Sequence, residues 1–337
     1  MNKKMSLREA FGKALVKIGK NRKDFVVFDA DVAGGTGTYH FRDTFPERFF
    51  QFGIAEQNMF AAAAGFSTLG ITPIVTTYAV FASMRAIEQV RNSIAYPKLN
   101  VKIVASHPGL DTGPDGATHQ AVEDLAIYRA IPNMVVISPA DPVEVEKATE
   151  AILDYPGPVY MRTGRSPVPI IFDENYKFEI GRANTILEGE DVSLFATGIM
   201  LHRALEVAQY LRKYGIYCEV VNISTLKPLD KETIIRSARK TKAVITMEDH
   251  NVIGGLAGAI SEILSYYEPT LMRTIGIKDC FGESGEPNDL VKKYHLDRDS
   301  IIKIVEETVA IKNKFMRGRK WKDLKIKYPS LLAQVEE

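Results

Sequence analysis

Short apolar runs of strand length, each followed by a segment of helical spacing, constrain this chain more than any other feature. Phe25-Val26-Val27-Phe28 carries no polar residue, as expected of a strand buried on both faces, and it ends in Asp29-Ala30-Asp31. Before it, Ser6 precedes a stripe of Leu7, Phe11, Leu15 and Ile18 at helical spacing, with Gly19 as a stop signal. The alternation returns with runs at 73–77, 101–105, 134–137 and 159–162. Between them, 82–95 aligns Met84, Ile87, Val90 and Ile94 on one helical face, and Asp141 and Pro142 supply the cap and first residue of another helix. Such alternation implies a parallel sheet covered on both faces, with ligands at the carboxyl ends of its strands.

From Thr163 to Asp191 the periodicity fails at Pro167, Pro169, Gly181 and Gly189, and a second alternating series begins at 192–196. The expected fold class is α/β, with two three-layer α/β/α domains, each built on a mostly parallel sheet. Residues 1–165 are expected to form the first domain, 166–190 a linker, 191–311 the second domain and 312–337 a basic extension. Between Lys312 and Lys327 that extension carries eight basic residues and one acidic one, which suits a solvated helix or a segment docking on an acidic surface.

With 43 basic and 42 acidic side chains the net charge is +1, so neither nucleic acid nor an anionic membrane is expected as a partner. No apolar stretch approaches the roughly 20 residues of a membrane span. The first residues lack the apolar run of a signal peptide, and Cys218 and Cys280 fit neither a zinc site nor a disulfide scaffold. A cytoplasmic protein is the expectation.

Three polar groups fall at expected strand ends. Asp29 and Asp31 precede the glycine-rich stretch 34–38, which lacks the Lys-Ser/Thr ending of a phosphate-binding loop. Glu56 lies where 49–52 gives way to an alanine-rich helix, and a carboxylate there either answers the helix N-terminus or relays a proton. The third group is the loop from His107 to His119, with Asp115 between the two histidines. It has neither a second His at helical spacing nor a Cys to complete a metal site, and its donors and acceptors suit a polyhydroxylated substrate.

In order, spacing and residue type, Phe52-Gly53-Ile54-Ala55-Glu56-Gln57-Asn58, Thr77-Tyr78-Ala79-Val80-Phe81 and the loop His107 through Asp115-Gly116-Ala117-Thr118-His119-Gln120 resemble the C-terminal half of transketolase, as found in split, two-subunit transketolases. The resemblance covers about residues 6–310 and implies a pyrimidine-binding domain of a thiamine diphosphate enzyme followed by a transketolase C-terminal domain. It makes Glu56, His107 and His119 the catalytic set. Glu56 would hydrogen-bond N1′ of the aminopyrimidine, and proton sharing there lets the 4′-imino nitrogen take the C2 proton of the thiazolium. Burial among apolar groups is expected to raise the Glu56 pKa and help that sharing. Phe81 matches an aromatic that stacks on the pyrimidine, Tyr78 a neighbouring pocket residue, and Asp31 a carboxylate close to the cofactor. His107, Asp115 and His119 match residues that hold the donor's hydroxyls, and Arg8 and Arg162 match arginines that grip the sugar phosphate with a planar fork. Gly35 departs from the phosphate-binding serine that the family often has.

The resemblance also implies an incomplete enzyme, because no Gly-Asp-Gly is followed some 25 to 30 residues later by Asn. Mg2+ and the diphosphate would be held by a separate N-terminal subunit, in an α2β2 assembly, with no metal ligand from this chain. The implied reaction transfers a two-carbon ketol unit from a ketose phosphate to an aldose acceptor. The β subunit of a 2-oxoacid dehydrogenase E1 component shares the architecture and the glutamate, but His107, Asp115 and His119 favour a sugar. A non-catalytic interaction protein of the same fold has no need of Glu56, Phe81, His107 and His119 together.

Overall fold

The computed structural model describes residues 4–316. Its strands are β1 (Lys4–Ser6), β2 (Phe25–Asp29), β3 (Phe49–Gln51), β4 (Thr72–Tyr78), β5 (Lys102–Ser106), β6 (Val135–Ile137) and β7 (Val159–Thr163) in the first half. They continue with β8 (Pro167–Pro169), β9 (Asn184–Leu187), β10 (Val192–Ala196), β11 (Cys218–Asn222), β12 (Thr225–Lys227), β13 (Ala243–Asn251) and β14 (Leu271–Ile277). One sheet has the order β12-β6-β7-β5-β4-β2-β3 and is parallel except for β12. The other has the order β14-β13-β10-β11-β9, with β9 alone antiparallel, and β1 pairs with β8 in a short separate ladder.

The continuous apolarity of β2 has a direct cause. Val26 and Phe28 enter a core with Met59, Phe60 and Ile94 on one face of the sheet, whereas Phe25 and Val27 enter another with Leu7, Phe11 and Leu15. Successive side chains of a strand point to opposite faces, so a strand covered twice needs apolar residues at every position. The helix Leu7–Gly19 is capped by the Ser6 hydroxyl, and Pro142–Asp154 by the Asp141 carboxylate. These two helices pack on one face; Glu56–Thr68 and Asp124–Ala130 cover the other.

Four local expectations change. The single helix expected over 82–95 is broken into Ala79–Met84, Ile87–Gln89 and a π-helical turn Val90–Ala95. Val90 and Ile94 stay buried, but Met84 turns outward. The glycine-rich stretch forms a helical turn, Ala33–Thr36, organised by the buried Asp29 carboxylate, which accepts hydrogen bonds from the Val32 amide and from the hydroxyls of Thr36, Thr38 and Thr76. The stretch 166–190 contains β8 and β9, so it is not a plain connection. Finally, β12 lies in the second half of the chain yet adds to the first sheet. The last described helix, Arg298–Met316, runs into the start of the basic extension, whose remainder lies outside the described residues. Among the described residues no helix is long and apolar enough to cross a membrane.

Candidate active site

The carboxyl ends of β7, β5, β4, β2 and β3 are neighbours in the first sheet, and most expected site residues lie at or just after them, with Arg8 coming from the helix Leu7–Gly19. Tyr78 ends β4, and its ring is the hub of an aromatic cluster. Centroids lie 4.1 Å from His107, 6.1 Å from Phe81 and 6.1 Å from His119, and Phe81 meets His119 edge-on at 5.3 Å. Burial, with the Asp115 charge, holds the Tyr78 phenol pKa above its ordinary value.

His107 directly follows β5 and adopts φ +61°, a left-handed backbone that a non-glycine residue rarely holds. Such strain persists only where the surroundings impose it, and it is concentrated at functional sites. The ring is buried, shares a 2.9 Å hydrogen bond through Nδ1 with the Ser106 hydroxyl, and places Nε2 3.9 Å from the Asp115 carboxylate. Burial, and then the charges of Arg8, Arg165 and His119, push its pKa down to about 3. His107 is therefore neutral, with one nitrogen to donate and one to accept. Gly109, at φ +63°, lets the loop pass against the Asp249 carboxylate, where a Cβ would collide.

Glu56 opens the helix Glu56–Thr68 and is 2% exposed. Its surroundings are not the purely apolar ones expected. Arg85, which follows the helix Ala79–Met84, donates to both carboxylate oxygens, at 3.0 and 2.9 Å, and lays its guanidinium over the Phe81 ring with Cζ 4.4 Å from the centroid. Arg85 thus joins the site without any signal in the sequence, since its spacing assigned it only to the polar face of a helix.

Arg8 reaches the site, donating from Nη1 to the Gly35 carbonyl at 3.2 Å; the Ser106 hydroxyl donates to the same oxygen at 3.0 Å. Arg162 lies deeper than the cluster: it is 5% exposed, with Nε 2.9 Å from the Asp124 carboxylate and Nη2 donating to the carbonyls of Ala121 and Asp249. The arginine that faces the cluster is Arg165, which donates to the Thr112 carbonyl and lies 3.5 Å from Asp115. Asp31 presents an exposed side chain, while its amide donates to Gln51 Oε1 at 2.8 Å. Among the described residues no group of three His, Cys, Asp or Glu side chains is arranged to hold a metal ion.

Known proteins resemble this chain along most of its length. The family model described as the transketolase pyrimidine-binding domain matches residues 3–170, and that of the transketolase C-terminal domain matches residues 181–301. A putative transketolase C-terminal section from Methanocaldococcus jannaschii is 46% identical over 305 residues, covering 89% of this chain and 95% of that protein. A 6-deoxy-6-sulfo-D-fructose transketolase subunit from Clostridium sp. is 40% identical over 307 residues, 91% of this chain and 95% of that protein. Among solved structures, a split-gene transketolase described as an inactive beta4 tetramer superposes with a TM-score of 0.86 at 47% identity, covering 91% of this chain and 99% of that one.

Proposed function

The chain belongs to the transketolase family, and from that premise we propose that it is the C-terminal subunit of a thiamine-diphosphate-dependent transketolase that moves a two-carbon ketol unit from an anionic ketose to an aldose. The observation that carries this reading is the convergence of Glu56, Phe81, Tyr78, His107, His119 and Asp115 on one edge of one sheet. A deeply buried carboxylate beside an aromatic ring fits an aminopyrimidine, which needs a stacking face and a proton partner. When bound, thiamine diphosphate supplies the carbanion chemistry. Glu56 holds a proton at N1′, and Phe81 holds the ring plane. Neutral His107 hydrogen-bonds the donor sugar, with Asp115 and His119 accepting from or donating to its hydroxyls. Arg8 and Arg165 attract its anionic end. Because they recognise charge and not phosphorus as such, sulfoketoses belong beside phosphoketoses among the donors to assay.

The diphosphate and Mg2+ are assigned to a second polypeptide, in an α2β2 assembly. Ile54, 76% exposed beside Glu56, and the exposed small residues Ala61 and Gly65 one helical turn apart favour close approach by another chain there. The proposed division remains 1–165, 166–190 and 191–311, with β12 crossing back to the first sheet.

Reconstitution with the N-terminal transketolase section of the same organism, thiamine diphosphate and Mg2+ should give ketol transfer from xylulose 5-phosphate. Pyruvate decarboxylation in its place would sink the reading in favour of a 2-oxoacid dehydrogenase. Glu56→Gln is expected to reduce turnover about a hundredfold or more while leaving assembly intact by gel filtration.

A further inference from the structure

The proposed chemistry leaves one group of the site without a task. Nη1 of Arg85 contacts both oxygens of Glu56, and the same guanidinium covers Phe81 at 4.4 Å. A flat, nitrogen-rich group is thus stacked on the aromatic ring and paired with the carboxylate that an aminopyrimidine would use. At that separation the guanidinium is in stacking contact with the ring, with no space for a second planar layer between them.

The arrangement has an electrostatic cause. The Glu56 side chain is 2% exposed, whereas that of Arg85 is 44% exposed. A carboxylate so buried is costly when unpaired, and Arg85 pairs it while keeping much of its own surface in water. Arg85 also sits in the break between Ala79–Met84 and Ile87–Gln89, so its side chain can swing away without unwinding either helix.

We propose that Arg85 is a stand-in for the aminopyrimidine: it neutralises Glu56 and covers Phe81 in the unloaded chain, and surrenders both when the cofactor enters. The proposal rests on the assignment of Glu56 and Phe81 to thiamine diphosphate. Its test is calorimetric binding of thiamine diphosphate, with Mg2+, to the assembled enzyme carrying wild-type chain, Arg85→Ala or Arg85→Lys, alongside thermal unfolding of the chain alone and of the loaded assembly. Arg85→Ala should lower Kd about tenfold or more, since the cofactor no longer displaces a guanidinium. The same variant should unfold earlier than wild type as a free chain and match it once loaded. Arg85→Lys, which keeps the charge but not the stack, should fall between. Unchanged or weaker binding by Arg85→Ala, or a deficit in unfolding temperature that persists on loading, means that Arg85 stays beside the bound cofactor and overturns the proposal. Failure of the wild-type assembly to bind thiamine diphosphate is a separate result, which removes the assignment of Glu56 and Phe81 and the stand-in role with it.

Discussion

A Cβ at Gly35 would stand 2.6 Å from Cε1 of Tyr78 and nearer still to its hydroxyl. A side chain at position 35 would collide with the phenol of Tyr78, so the two positions are sterically linked. Gly35→Ala should cost about 1–3 kcal/mol of unfolding free energy, and clearly less in a Tyr78→Leu background. Equal costs in both backgrounds, read from denaturant unfolding, would break the link. His107 supports a second prediction. With its folded pKa pushed to about 3 from an ordinary 6.5, the unfolded chain binds the extra proton. The stabilisation from its neutral ring is therefore complete above pH 6.5 and is lost as pH falls from 6.5 toward 3. Its ring resonances should stay flat between about pH 5 and 8, and a titration near the ordinary value would refute the assignment. The arginines show the limit of reading at this scale. Arg162 looks like a phosphate ligand in the sequence, but Arg165, three residues later, is the one that faces the cluster. Arg162 still lies within β7, where Asp124 from another element captures it, and Arg165 lies beyond the strand. Which of two arginines turns outward depends on a partner distant in sequence.

Elements legible in the sequence were those whose burial follows a simple period, such as the Leu7–Gly19 helix and β2. The broken helix over 82–95 was not, because its apolar spacing survives the break at Arg85 and Ala86. Nor was the role of β13. Its Asp249, with a carboxyl pKa raised by burial to about 6, accepts hydrogen bonds from the amides of Leu110 and Asp111 at 2.9 and 3.2 Å. Asp111 accepts in turn from the amides of Arg165 and Ser166. A strand of the second sheet thereby anchors the loop that carries His107 and Asp115. Asp249→Ala should cost about 1–3 kcal/mol through the orphaned amides, accelerate hydrogen exchange at Leu110 and Asp111, and raise KM for the donor. Exchange rates unchanged at those two amides would show that the loop holds itself.

At the scale of the whole molecule, the strand–helix alternation foretold both sheets, but three residues, Thr225-Leu226-Lys227, are too few to reveal that they pair with β6. One continuous core also joins Val26, Phe28 and Val75 of the first sheet to Phe195, Val221 and Val244 of the second. The full chain should consequently unfold in a single calorimetric transition. Residues 1–180 expressed alone should lack the near-ultraviolet dichroism of a packed core, and a native-like signal from that piece would contradict the shared core. The placement of the site has a different kind of consequence. The groups proposed to meet substrate or cofactor are mounted at or beyond strand ends, with Glu56 after β3, Tyr78 and Phe81 at the end of β4 and the 107–119 loop after β5, whereas Arg8 comes from the helix Leu7–Gly19. The site is therefore modular. On the proposed function, exchanging Arg8, Arg165 and the 107–119 loop should change the preferred sugar while Glu56 and Phe81 keep their cofactor role, provided any grafted loop keeps a glycine where Asp249 leaves no room for a side chain.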